Sequence, residues 1–156
     1  MTAQCEVRSA GEGDAEAISA VILASLHKTE VKNYPPNVVR RIEQSFSPAA
    51  VQGLIADETV LVALAGDSVL GAACLDGNRV RTVFVAPNAQ GMGVGRRLVE
   101  ALERTARGEN VPVLVVASSV AAEPFFARLG FVAVRDSYYG KERTVVMERR
   151  LMPLQR

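Results

Sequence analysis

Val80-Arg-Thr-Val-Phe-Val-Ala-Pro-Asn-Ala-Gln-Gly-Met-Gly-Val-Gly-Arg-Arg97 is the stretch that decides how this chain folds. Val80, Thr82, Val83, Phe84 and Val85 are β-branched or aromatic and read as a buried strand, which Pro87 stops because proline cannot donate to a ladder. Gly91, Gly93 and Gly95 follow Gln90, and then a helical pattern begins. Glycines at a strand-to-helix junction leave backbone N–H groups unshielded and permit positive φ. In the helix, Val94, Leu98, Ala101, Leu102 and Thr105 recur at the spacing of one buried face. Arg96, Arg97, Glu100, Glu103, Arg104 and Arg107 cover the other face, with Glu100–Arg104 and Glu103–Arg107 expected as pairs four apart and Gly108 as the stop. The N-terminus of such a helix beside a glycine loop is suited to phosphate, and Arg96 or Arg97 can add a charge-assisted contact.

The loop is not the dinucleotide fingerprint, which requires glycine where Arg96 stands, nor the nucleoside-triphosphate loop, which requires Gly-Lys-Ser/Thr. Gln90, Gly93 and Gly95 do fit (Gln/Arg)-x-x-Gly-x-(Gly/Ala), which resembles the pyrophosphate-binding motif of the Gcn5-related N-acetyltransferases. That resemblance implies acetyl-coenzyme A as co-substrate. It also implies a coenzyme site built from Val83, Phe84, Val85, Gln90, Gly91, Met92, Gly93, Val94, Gly95 and Arg96.

Outward from this stretch, 156 residues suit one domain over residues 1–156 with a core of its own. A net charge of +1 supplies no field for nucleic acid or a membrane surface. The lack of an apolar run of 18 residues, or of a charged-then-apolar leader, predicts a soluble, cytoplasmic protein. Isolated Cys5 and Cys74 read as reduced thiols, and a single histidine without Cys-x-x-Cys argues against a metal site. Gln4–Ser9 reads as a strand, and Asp14 precedes a helix carrying Ile18, Val21, Ile22, Ser25 and Leu26 on one face. After Tyr34-Pro35-Pro36, Val38, Val39, Ile42 and Phe46 suggest a second helix and Pro48–Ile55 a third. Thr59–Ala65 and Ser68–Leu75 form a hairpin about Gly66-Asp67, and Asp76-Gly77-Asn78 turns into the opening strand. Val111–Ala117, Phe131–Val134 and Arg143–Leu151 are further strands, and Val120–Leu129 is helical. The expected fold is α/β (α+β): a mixed, mostly antiparallel sheet of about seven strands with helices on both faces.

The same family's second stretch, Asn-x-x-Ala-x-x-Phe-Tyr-x-x-x-Gly-Phe, is met here by Ser119, Ala122, Phe125, Phe126, Gly130 and Phe131, so the resemblance spans essentially the whole chain. It implies direct acetyl transfer to an amine of a small molecule or exposed peptide. A backbone N–H at a bulge of the glycine-loop strand, at Phe84 or Val85, would hold the thioester oxygen. Two departures stand out. Phe126 occupies the place of the tyrosine that protonates the leaving thiolate; it joins the expected coenzyme site by packing against the pantetheine arm but gives no proton, which makes Tyr138 or Tyr139 the expected acid. Arg81 occupies the strand where the family often carries an acidic base, which leaves Asp76, Glu123, His27 or water. Ser119 stands where the family has asparagine beside the coenzyme arm, or else caps the next helix. Lys28–Ser47, with Asn33, Tyr34 and Arg40, is expected to shape the acceptor pocket, and the last strands offer an edge for a homodimer. Two other classes remain open: a non-catalytic acyl-coenzyme A-binding or regulatory module, and a nucleotide-binding fold stabilised by NAD or ATP.

Overall fold

The extended run ending at Pro87 forms the fourth strand of a seven-stranded sheet. The computed structural model describes residues 5–29 and 35–151, and for Thr29, Tyr139 and Glu142 the backbone alone. The strands are β1 (Glu6–Ser9), β2 (Thr59–Ala65), β3 (Ser68–Asp76), β4 (Arg79–Val85), β5 (Val113–Ser119), β6 (Val132–Tyr139) and β7 (Glu142–Arg150). The helices are α1 (Ala15–Thr29), α2 (Pro36–Ser45), α3 (Pro48–Asp57), α4 (Val94–Gly108) and α5 (Glu123–Arg128). The strand order is β1-β2-β3-β4-β5-β7-β6, antiparallel throughout except at β4–β5.

That one parallel junction positions the site. β4 and β5 pair only at Arg79–Val115 and Val80–Val116, and then separate. A helix must lie between parallel neighbours, and here it is α4, packed over β2, β3 and β4. Its buried face is Val94, Gly95, Leu98, Val99, Ala101, Leu102 and Ala106, wider than the heptad-like spacing alone predicts. The core has two parts, one on each side of the sheet. Leu98, Leu102, Leu114, Phe126, Phe131 and Met147 fill the α4–α5 side. Ile18, Ile22, Leu26, Val51, Val62 and Cys74 fill the α1–α3 side. Near β1, the Asp14 carboxyl is held below its ordinary range by the Arg8 guanidinium at 2.8 Å and by the Gly11 N–H at 2.7 Å.

Several local expectations are corrected. Glu100 pairs with Arg96 at 3.2 Å rather than with Arg104, and Glu103 reaches across to Arg149 at 3.1 Å rather than to Arg107. Arg107 instead donates to the Leu151 carbonyl, tying α4 to the end of β7. Gly108 is the last helical residue, and the left-handed position after the helix belongs to Asn110, at φ 61°. Helix α5 begins at Glu123 rather than Val120, because the Ser119 hydroxyl accepts the Ala122 N–H at 3.2 Å and closes a turn first.

Candidate active site

The loop after β4 leaves backbone donors pointing outward. Gly91 and Gly93 have φ of 80° and 82°, a conformation that costs other residues strain, and a Cβ at either would meet nothing within 4 Å. They are glycines for the backbone's sake. Gly95 is one for packing, since a Cβ there would stand 3.1 Å from the Phe125 ring. Arg97 N–H makes the first helical bond, to Gly93 O at 3.1 Å, so the N–H groups of Val94, Gly95 and Arg96 have no partner within the helix. Gln90 folds back towards Val85 O, at 3.5 Å.

These donors open onto a cleft of about 990 Å³ whose walls include Val83, Val85, Gln90, Gly91, Gly93, Val94, Gly95, Arg96 and Phe126. Nine of the expected coenzyme-site residues are therefore brought together. Phe84 is not: its ring turns to the other face and packs edge-on against Phe46, with centroids 5.6 Å apart. Met92 is 53% exposed and does not line the cleft. Nor does Ser119, whose hydroxyl is engaged in the turn described above. Sequence reasoning missed Ser25 of α1 and the Phe125, Arg128 and Arg149 side chains, all on the cleft wall. Phe125 lay within the second motif, but nothing in the sequence tells that Gly95 would admit its ring.

The phase of the ladder decides which backbone groups face the opening between β4 and β5. Ala86 N donates to Leu70 O at 2.7 Å, on the β3 side. Antiparallel pairing alternates, so Phe84, opposite Ala72, also turns its N–H and C=O to β3. The approach of Phe84 O to Gly71, where a Cβ would stand 2.6 Å from it, agrees. Val83 and Val85 thus direct their backbone groups to the β5 side, where pairing has already ended. The bulge of β4 lies earlier than expected, at Arg81, between the Cys74–Thr82 and Leu75–Val80 pairs.

The expected acids and bases are scattered. Tyr138 is 64% exposed on the outer strand and lies off the cleft wall, while the Tyr139 side chain lies outside those described. His27 is tied to Glu43 at 2.9 Å and links α1 to α2. Asp76 is exposed at the β3–β4 turn, and Glu123 sits in the first turn of α5. Arg40 is exposed on α2, and Asn33 and Tyr34 lie outside the described residues.

The model of the acetyltransferase (GNAT) domain matches residues 30–150, most of the chain and all of the glycine loop. The chain belongs to this GNAT family. It is thereby an acyltransferase with acetyl-coenzyme A as co-substrate. No curated protein sequence matches it significantly. A GCN5-related N-acetyltransferase from Rhodopseudomonas palustris superposes with TM-score 0.84 at 23% identity, covering 97% of this chain and 98% of that one. The PaiA N-acetyltransferase of Thermoplasma acidophilum, solved in complex with coenzyme A, gives 0.82 at 16% identity, covering 94% and 99%. YncA of Salmonella typhimurium, solved with acetyl-coenzyme A, gives 0.68 at 24% identity, covering 98% and 97%. These likenesses establish the GNAT fold.

The donor set suits a diphosphate, because unpartnered N–H groups at the positive end of a 15-residue helix accept charge without rearrangement. Gly93→Ala is expected to weaken acetyl-coenzyme A binding about 5- to 30-fold, since φ of 82° costs alanine about 1–2 kcal/mol. Calorimetric titration of the variant checks this, and an unchanged Kd would remove the loop from the coenzyme site.

Proposed function

We propose that this GNAT protein moves the acetyl group directly from coenzyme A to a primary amine of a small molecule or an exposed peptide. The observation that carries this is the opening between β4 and β5 directly beside the helix-terminus donors, with Val85 at its edge. The amine nitrogen attacks the thioester carbon, a C–N bond forms, the C–S bond breaks, the amine's proton passes to solvent water, and coenzyme A leaves as the thiol. Val85 N–H is the proposed donor to the developing oxyanion, fixed by β4 before the reaction begins. Phe126, sandwiched edge-on by Phe125 at 5.0 Å and Phe131 at 5.4 Å, offers the leaving sulfur an apolar wall and no proton. The proposed acid is Tyr139, since Tyr138 lies off the cleft wall.

Release of free thiol from acetyl-coenzyme A, screened against classes of amine, tests the reading. Stimulation by an amine supports it. Thermal stabilisation by acetyl-coenzyme A with no stimulated release by any amine supports the binding-module alternative, because a ligand of the folded state stabilises without chemistry. Tyr139→Phe is expected to lower turnover about 100-fold while Tyr138→Phe stays within twofold. Equal, near-normal turnover in both variants removes the acid from this hairpin.

A further inference from the structure

Arg81 stands where three features of the sheet coincide. It is the bulge residue of β4, unopposed on β3. It directly follows Val80, the last residue of β4 paired to β5. And it donates from Nη1 to Glu58 Oε2 at 2.8 Å, its own side chain half exposed at 50% while that of Glu58 is only 7% exposed.

Such a pair is a poor device for stability, because taking the carboxylate out of water is seldom repaid by one partner. Glu58 is less well served than most: its Oε1 is buried without a hydrogen-bond partner. Glu58 and Thr82 both act on the Cys74 thiol, which burial pushes up, the Thr82 hydrogen bond lowers and the Glu58 charge raises again. What Glu58 does accomplish is to anchor Nη1 of Arg81, while the half-exposed side chain keeps further guanidinium donors accessible to solvent.

Those donors border the side of the sheet away from α4. Leu114, Val116, Val145 and Met147 belong to the α4–α5 core, so Val115, Ala117 and Glu148 lie on the opposite face. Ala117 and Glu148 are exposed, and Val132 of β6 is 65% exposed. An acceptor reaching the β4–β5 opening from that face, opposite the diphosphate loop, meets Arg81 at its edge.

We propose that Arg81, held in place by Glu58, binds an anionic group of the acceptor, so that the acetyl acceptor is an amine that also carries a carboxylate. The inference rests on the transferase reading above. A guanidinium fork matches a carboxylate in two parallel hydrogen bonds, which an ammonium cannot do. Four residues of strand, about 13 Å, separate Arg81 from Val85. Even after the reach of the arginine side chain, an amine and carboxylate several bonds apart fit this spacing better than an α-amino acid. Glu58 is a positioning residue, acting only through Arg81.

The test compares γ-aminobutyrate and ε-aminocaproate with their carboxamides, which keep the shape and lose the charge. Thiol release gives kcat and KM, and calorimetry on protein saturated with coenzyme A gives acceptor binding without turnover. The carboxylates are expected to be favoured about 10- to 100-fold in kcat/KM, chiefly through KM, as charge-assisted hydrogen bonds usually require. Arg81→Gln abolishes the preference, Arg81→Lys restores only part of it, and Glu58→Gln raises KM for the carboxylates alone. An unaltered melting-temperature rise with acetyl-coenzyme A shows that each variant is folded with its coenzyme site intact. Turnover of amines without a carboxylate preference, or with a preference that survives Arg81→Gln, overturns this inference and spares the transferase. Carboxylate-dependent binding without turnover of any amine overturns the transferase reading and spares anion recognition. Neither binding nor turnover of any amine overturns both.

Discussion

Val85→Pro is expected to cut turnover about 100- to 1,000-fold, the usual loss when one fixed oxyanion donor is removed. Proline deletes the N–H and otherwise keeps an extended backbone, and Val85 sends that N–H away from β3 into the opening, where β5 no longer pairs with it. No ladder bond is lost. The melting temperature should therefore fall little, and affinity for coenzyme A, whose diphosphate contacts lie in the loop beyond Gln90, should stay within about tenfold. Phe84→Pro is the control with the opposite outcome, because its N–H belongs to the pairing with Ala72 and its ring packs on Phe46. That variant should lose stability first and activity only in consequence. Both variants are read by thiol release alongside thermal melting. If Val85→Pro retains near-normal kcat, the oxyanion is held elsewhere and the β4–β5 opening is not where the carbonyl sits.

This pair of variants also marks the line between what the sequence tells and what it conceals. Period-two and period-3.6 patterns place β4, α4 and the glycine loop within a residue or two, since burial on one face is written directly into composition. Which of Phe84 and Val85 offers its N–H is not written there, because it depends on the phase of pairing with β3. A bulge resets that phase. The bulge at Arg81 leaves Val80 on the α4 side and Thr82 on the α1 side, although the two are two residues apart. Glu58 was equally silent: 23 residues before Arg81 in sequence, it reaches it only because β2 and β4 flank β3. The charged face of α4 misled for a related reason. Four-residue spacing licenses Glu103–Arg107, but β7 brings Arg149 within 3.1 Å and tertiary geometry takes the carboxylate.

Gly71→Ala is expected to destabilise the protein by about 1–3 kcal/mol, lowering Tm by roughly 2–12 °C, although nothing in the sequence singles out this glycine. A Cβ at position 71 would stand 2.6 Å from Phe84 O, 3.1 Å from Leu98 Cδ1 and 3.2 Å from Val94 Cγ1. The first of these is backbone and cannot rotate aside, so β3 and β4 must part. Gly71 lies beside a bulge of its own strand, Leu70, whose carbonyl accepts the Ala86 N–H, and it pairs directly with Val85. Separation here moves the proposed oxyanion donor and the entrance to the glycine loop together. Turnover should fall by more than the loss of folded protein explains. Gly53→Ala provides the contrast: it lies inside α3, a Cβ there meets nothing within 4 Å, and alanine should stabilise by about 0.5–1 kcal/mol without touching activity. Thermal melting of the two variants, with kcat measured well below each Tm, separates the cases. A Gly71→Ala protein as stable and active as the parent would show that β3 and β4 can part without cost, and that the site does not depend on their close approach.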